Sequence, residues 1–195
     1  MRIKLLLVGI LLAAVQSTSM AEGDVVEGQK LAHTCLGCHG VKHYVNTYPT
    51  YHVPRIAGQH EIYIVAALKA YRSKQRPHKT MQANASDLTD QNMEDVAAYF
   101  ASLGADAKGS SKIEDEPLAA TCMTCHGPGG LSTITANPIL AGQYKSYIKQ
   151  ALESYRAADR KNPIMGGFAS ALSDEDIGKL AEYFSAHNGP LRTAD

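Results

Sequence analysis

Apolar residues recur with helical spacing towards the end of each half of the chain. The i, i+3, i+4, i+7 stripe occurs twice, first as Met93, Val96, Ala97 and Phe100, then as Ile177, Leu180, Ala181 and Phe184. Thr89 and Ser173 precede the two stripes as N-caps, and Asp176 stands where it completes a capping box with Ser173. The pattern predicts an amphipathic helix in each half, with its apolar face buried.

Helical signals also dominate the remaining segments of both halves. We predict leading helices over residues 25–34 and 116–121, and second helices over residues 61–72 and 145–156. Apolar and polar residues do not alternate over any stretch long enough for a sheet. The predicted fold class is therefore all-α.

The two halves repeat one another, at an offset of 84 residues from Pro54 onward and of 87 residues in the segment before it. The segment Pro54–Gln59 matches Pro138–Gln143, and each half later has a Tyr-Arg-x-x-x-Arg sequence. We predict an N-terminal domain over residues 22–103 and a C-terminal domain over residues 113–190, joined by a small and polar linker at 104–112. Residues beyond Pro190 are expected to be loose.

The chain begins with the features of an export signal. Arg2 and Lys4 precede an apolar run from Leu5 to Val15, and small residues flank Ala21. We predict a cleavable signal peptide over residues 1–21, since an apolar run of about 11 residues is too short to span a bilayer. An uncleaved membrane anchor is the alternative.

Charge is balanced, with 19 basic and 19 acidic residues over the whole chain. Neither half has a basic surplus, which argues against nucleic acid or anionic lipid as a partner. The mature protein is expected to be soluble.

The chemistry centres on a pentapeptide that occurs twice. Cys35-Leu36-Gly37-Cys38-His39 is repeated as Cys122-Met123-Thr124-Cys125-His126. The Cys-x-x-Cys-His sequence is the attachment signature of a c-type haem, whose two vinyl groups each take one thiol and whose iron takes the histidine. The four cysteines predict two covalently bound haem c groups with axial ligands His39 and His126.

Two other uses of these cysteines deserve comparison. A single pair could form a redox disulfide, and two pairs could form a Cys₄ zinc site. Zinc ribbons separate their pairs by roughly 15–20 residues, whereas 83 residues lie between Cys38 and Cys122. A histidine after each pair is also not required by zinc. Since haem c is attached outside the cytoplasmic membrane in bacteria, the motifs and the signal peptide together predict the periplasm.

The second axial ligand decides what each haem can do, because an open position permits O₂ or peroxide chemistry and a filled one favours electron transfer. Met81 and Met165 lie 42 and 39 residues after their motif histidines, in matching segments that we expect to be irregular. We predict both as axial ligands, whereas Met93 lies on the apolar stripe and is assigned to packing. The first half also contains histidines that could replace its methionine: His33, His43, His52, His60 and His78.

Other repeated residues suggest supporting roles around the haems. Pro54 and Pro138 could accept a hydrogen bond from the motif histidines through their carbonyl groups, or could simply form turns. The repeated tyrosines are assigned to packing against haem: Tyr63, Tyr71, Tyr147 and Tyr155. The repeated arginines could pair with haem propionates or could be solvated helix ends: Arg72, Arg76, Arg156 and Arg160.

This ordered duplication resembles the cytochrome c4 family over nearly all of residues 24–187. The resemblance implies two tandem class I cytochrome c domains, each wrapped around a covalently attached haem with histidine and methionine ligands. It also implies a carrier without enzymatic activity that takes electrons from a quinol-oxidising complex and delivers them to a terminal oxidase or another reductase. Such a carrier would dock on membrane complexes while remaining soluble.

Two other functions remain open at the level of sequence. The chain could be the cytochrome subunit of a flavocytochrome c sulfide dehydrogenase-type complex, which shares the two-domain plan. It could also be a dihaem peroxidase, although a peroxidase needs one displaceable ligand and the matching Met81 and Met165 argue against that.

Overall fold

The computed structural model describes residues 22–104 and 116–195, which are mostly helical. The first half contains α1 (Val25–Leu31), α2 (His33–His39), α3 (Glu61–Arg72), α4 (Lys79–Ser86) and α5 (Asp90–Ser102). The second half contains α6 (Ala120–His126), α7 (Lys145–Arg156), α8 (Pro163–Ala169) and α9 (Asp174–Ala186), with 3₁₀ turns at Pro117–Ala119 and Pro128–Gly130. Where both partners are described, β-pairing is limited to two isolated bridges, Val45 with His52 and Ala57 with Arg192, so the all-α prediction is confirmed. None of the helices in these two ranges is long and apolar enough to cross a membrane.

Three of the predicted segments lie partly or wholly outside this description. The predicted signal peptide, residues 1–21, is outside the described residues, and so are residues 105–112 of the predicted linker and residues 113–115 of the predicted C-terminal domain. Gly104 is described and is buried where α5 ends. A Cβ at Gly104 would lie 2.1 Å from the Cα of Gly58, so the two chain segments touch there through glycine.

The helices α3 and α7 have the bounds that the sequence predicts, but the leading helices differ. The first is divided at Ala32, and the Cys-x-x-Cys-His motif itself forms α2. In the second half a 3₁₀ turn precedes α6, which contains the second motif. The motifs lack an apolar stripe, so their helical conformation could not be predicted from periodicity.

The last helix of each half forms the centre of its core. Both predicted stripes on α5 and α9 are buried, and Met93 and Ile177 have no exposed surface. The capping box of Ser173 and Asp176 is present, and Thr89 forms a second one with Asn92. In the first half α5 packs against α1 and α3, and in the second half α9 packs against α7.

The first repeated arginine of each half ties two helices together. Arg72 donates to the carbonyl of Leu88 at 3.0 Å and to the carboxylate of Asp90 at 2.6 Å. Arg156 makes the equivalent bonds to Leu172 and Asp174 in the second half. At the surface, Arg72 therefore links the end of α3 to the start of α5, and Arg156 links the end of α7 to the start of α9. Both arginines already have a carboxylate partner.

The two halves dock through glutamine side chains in a reciprocal arrangement. The Gln59 amide donates to the carbonyl of Ile139 at 3.0 Å and accepts from its N–H at 2.9 Å. The Gln143 amide bonds the backbone of Arg55 in the same way, at 2.8 and 2.9 Å. Because Gln59 matches Gln143 and Arg55 matches Ile139 in the repeat, the interface has an approximate two-fold symmetry. The glycine before each glutamine has a positive φ, 81° at Gly58 and 75° at Gly142, which accounts for glycine in the repeated Ala-Gly-Gln sequence.

We expect Gln59→Ala and Gln143→Ala each to destabilise the holoprotein by about 2 kcal/mol. Gln59→Ala leaves the buried N–H and carbonyl of Ile139 without a partner, and Gln143→Ala does the same to the half-buried backbone of Arg55. Urea denaturation followed by far-UV circular dichroism measures the loss. Gln150→Ala is the control, since Gln150 bonds only to Ser154 within α7. An equal effect of the control would contradict the docking role.

The end of the chain differs from the prediction that it is loose. Leu191, Thr193 and Ala194 are buried. The Arg192 N–H donates to the carbonyl of Ala57 at 3.0 Å, in an isolated β-bridge. The last residues therefore pack on the first half, a long-range contact that local composition does not predict.

Candidate haem sites

The motif histidines end α2 and α6 and are held in the same way. The Nδ1 of His39 lies 2.9 Å from the carbonyl oxygen of Pro54, and the Nδ1 of His126 lies 2.9 Å from that of Pro138. A carbonyl only accepts, so Nδ1 must donate its proton and Nε2 is left without one. The structure thus contains both hydrogen bonds expected of the prolines, and each ring has its free nitrogen available for a metal.

Burial favours the neutral form of both rings. It lowers the pKa of His39, more than the hydrogen bond to Pro54 raises it. It also lowers the pKa of His126, again against the bond to Pro138. A neutral imidazole is the form that binds iron.

Met81 and Met165 do not lie in irregular segments as predicted, since each is the third residue of a short helix. The Met81 N–H donates to the His78 ring at 3.2 Å, and the Met165 N–H donates to the Asn162 side chain at 3.0 Å. These caps begin α4 and α8 at equivalent positions. The helices are only 8 and 7 residues long, too short to show a clear periodicity. His78, one of the alternative ligands, therefore has the same capping role as Asn162.

Three of the other histidines lie between the two halves. The His52 ring stacks on Tyr144 with a centroid distance of 4.7 Å, and the His43 ring lies 5.7 Å from the same tyrosine. The His60 ring bonds the carbonyl of Ser132 at 2.9 Å. The histidine-rich composition of the first half thus reflects its contact with the second half, and His33 is exposed on α2.

A cavity of about 520 Å³ extends across the interface between the halves. It is lined by all the predicted thioether and axial residues: Cys35, Cys38, His39, Met81, Cys122, Cys125, His126 and Met165. The two sets of side chains therefore open into one shared space.

The four cysteines form no disulfide with one another. In the described part of the chain, no three His, Cys, Asp or Glu side chains are grouped closely enough to hold a metal ion, so the Cys₄ zinc alternative has no support in the fold.

The second repeated arginine of each half is buried beside this cavity. Arg76 donates to the Tyr147 hydroxyl and Arg160 to the Tyr63 hydroxyl, both at 3.1 Å. Each guanidinium also lies 4.5 Å above a tyrosine ring of its own half, Tyr71 or Tyr155. The repeated tyrosines therefore link the halves as well as lining the cavity.

Both guanidinium groups have a polar atom left without a partner. The Nε atoms of Arg76 and Arg160 are buried and make no hydrogen bond. Burial opposes the charge of Arg76, but the surrounding tyrosines keep its pKa above the usual range. Burial would raise the pKa of Tyr63, yet the two arginines outweigh it and lower that pKa to about 8. Two buried cations facing a cavity fit the carboxylates of haem propionates, so these arginines are not solvated helix ends.

The fold and the cavity together define a dihaem c-type cytochrome, which binds two haem c groups covalently. Residues 25–104 match the family described as cytochrome c, and residues 116–184 match that described as cytochrome c oxidase, cbb3-type, subunit III. The chain is 32% identical to cytochrome c4 of Pseudomonas aeruginosa, covering 92% of this chain and 96% of that protein. It is 31% identical to the thiosulfate dehydrogenase electron acceptor of Stutzerimonas stutzeri, covering 84% of this chain and 88% of that protein.

The crystal structure of reduced cytochrome c4 from Pseudomonas stutzeri superposes with a TM-score of 0.67 at 30% identity, over 85% of this chain and all of that one. The chain belongs to the cytochrome c4 family and functions in electron transfer.

Sequence reasoning missed three features of this region. They are the pairing of arginines and tyrosines across the halves, the docking role of the glutamines, and the contact of the last residues with the first motif, where the Ala194 N–H donates to the carbonyl of His39 at 3.1 Å. The repeat did expose the residues of the first two as matched pairs. It could not show that each pair joins one half to the other.

Proposed function

We propose that the protein is a periplasmic electron carrier in which each half holds its haem with two thioethers, one histidine and one methionine. The residues are Cys35, Cys38, His39 and Met81 in the first half, and Cys122, Cys125, His126 and Met165 in the second. The shared cavity that these side chains line carries the proposal. A signal peptide over residues 1–21 would direct the chain to the compartment where haem c is attached.

The protein residues in this proposal bind, orient and shield. The cysteines anchor each porphyrin, and the carbonyls of Pro54 and Pro138 fix the tautomer and tilt of the two imidazoles. The caps of α4 and α8 hold Met81 and Met165 in position, and the sulfurs of these residues would provide the second protein ligand of each iron. When bound, the haems supply the one-electron Fe(III)/Fe(II) couple. With the histidine and the methionine both held in place, each haem would rearrange little between the oxidation states and would offer no position to a substrate.

The proposed route runs from a quinol-oxidising complex to a terminal oxidase. A second route has specific support, because one relative bears the name thiosulfate dehydrogenase electron acceptor and matches 84% of this chain. A sulfur-compound dehydrogenase would then donate the electrons. The alternative of a flavocytochrome c sulfide dehydrogenase-type complex likewise has a sulfur-compound dehydrogenase as the donor. Neither route requires a substrate site on this chain.

The proposal predicts the properties of the holoprotein isolated from the periplasm. We expect two haems per chain, the near-red absorption of sulfur-to-iron charge transfer at both sites, and little binding of carbon monoxide by the reduced form. Avid binding of carbon monoxide at both irons would refute methionine ligation. Stopped-flow reduction by a purified quinol-oxidising complex and by thiosulfate dehydrogenase would then distinguish the two donors by their rates.

A further inference from the structure

The last five residues of the chain connect the second half to the haem motif of the first. After Leu191, the backbone pairs with Ala57 through the Arg192 N–H at 3.0 Å. The Ala194 N–H then donates to the carbonyl of His39 at 3.1 Å. At the end, Asp195 forms an ion pair with Lys42 at 2.7 Å. We name residues 191–195 the C-terminal strap.

The strap reaches the end of α2, where the helix leaves carbonyl groups without partners. The carbonyl of His39 is one of these, and the Ala194 N–H satisfies it. A Cβ placed on Gly40 would lie 3.2 Å from the carbonyl oxygen of Ala194, so the two backbones pass in close contact. Ala194 and His39 are both 8% exposed, which shows that the bond is shielded from water.

His39 is therefore held at two points that come from different halves of the protein. Its ring is fixed by Pro54 of its own half, and its backbone is fixed by Ala194 of the other half. The ion pair of Asp195 with Lys42 is exposed and contributes little by itself. The backbone bond is thus the part of the strap that can influence the ligand.

We propose that the C-terminal strap is a positioning element for His39, through which the second half controls the redox properties of the first haem. The inference rests on the proposed function, in which His39 is an axial ligand. Loss of the Ala194 bond would free the end of α2 and admit water to the histidine. Greater exposure to water stabilises the more highly charged ferric state, so the potential of the first haem would fall.

The test uses Ala194→Pro in the full-length holoprotein, because proline has no N–H and keeps a small apolar side chain. Ala194→Ser retains the N–H and is the matched control, and Asp195→Asn removes only the ion pair. We expect Ala194→Pro to lower the potential of the first haem alone, with both haems assigned by paramagnetic NMR. We also expect imidazole, added as a probe ligand, to bind the first haem roughly tenfold more readily, the factor expected for one hydrogen bond.

The outcomes separate the strap from the proposed function. Unchanged potentials and imidazole binding in Ala194→Pro would overturn the strap, and so would an equal shift of both haems. If Ala194→Pro does not fold, deletion of residues 194–195 removes the same bond and is judged by the same two measurements. The proposed function is tested separately with His39→Ala, which must abolish normal ligation of the first haem whatever the strap does.

Discussion

Replacing Met165 with alanine is expected to lower the reduction potential of the second haem by on the order of 0.1 V, within the ~0.8 V span that axial ligands cover. A thioether ligand stabilises the ferrous state relative to the ferric state, and alanine leaves the position to water. The change should also remove the near-red charge-transfer band of that haem and let the reduced protein bind carbon monoxide at one site. A potentiometric titration followed by absorbance measures the reduction potential. Flash photolysis of the carbon monoxide adduct measures the binding of carbon monoxide.

Two further variants make this prediction specific. Met81→Ala should produce the same changes at the first haem, because the two methionines occupy equivalent positions on α4 and α8. Met93→Ile should change neither haem, since Met93 lies in the core and isoleucine is the matching residue at position 177. An unchanged titration for Met165→Ala would show that its sulfur does not bind iron.

Replacing Arg160 with glutamine is expected to destabilise the holoprotein by about 1.5–3 kcal/mol, the usual contribution of a hydrogen bond made by a charged group. Arg160 is 8% exposed, and its removal leaves the Tyr63 hydroxyl without its guanidinium donor. If its Nε binds a propionate, the uncompensated carboxylate also favours the ferric haem. We expect potentials to fall by roughly 40 mV, which corresponds to an interaction of about 1 kcal/mol.

Arg76→Gln should have a matching effect, because Arg76 makes the reciprocal bond to Tyr147. Arg156→Gln is the control: Arg156 belongs to the same repeated sequence but pairs with the exposed carboxylate of Asp174. Surface pairs of this kind contribute about 0–1 kcal/mol. Thermal unfolding and redox titration of the three variants measure these effects. Equal reduction potentials in Arg160→Gln and Arg156→Gln would refute a propionate role for Arg160.

Much of the fold and the covalent haem motifs could be predicted because their signals are local. Helices α3 and α7 have the predicted bounds, and the stripes on α5 and α9 are buried as expected. A helix of twelve or more residues repeats its apolar face several times, so periodicity reveals it. The Cys-x-x-Cys-His motifs are also local signals, since the two cysteines and the histidine that attach haem c lie within five consecutive residues.

The tertiary structure alone decided which partner each repeated side chain has. Arg72 and Arg76 are four residues apart in one motif, yet the first forms an ion pair at the surface and the second is buried between the halves. The helix around Met81 is too short for periodicity to reveal, and the contact of Ala194 with His39 has no local signal. Sequence periodicity records which face of a helix is apolar, whereas the bonds from Arg76 to Tyr147 and from Ala194 to His39 join residues 71 and 155 positions apart that folding brings together. The amino-acid sequence thus determined two helical haem-binding units, and only the packing of one unit on the other determined how their sites are joined.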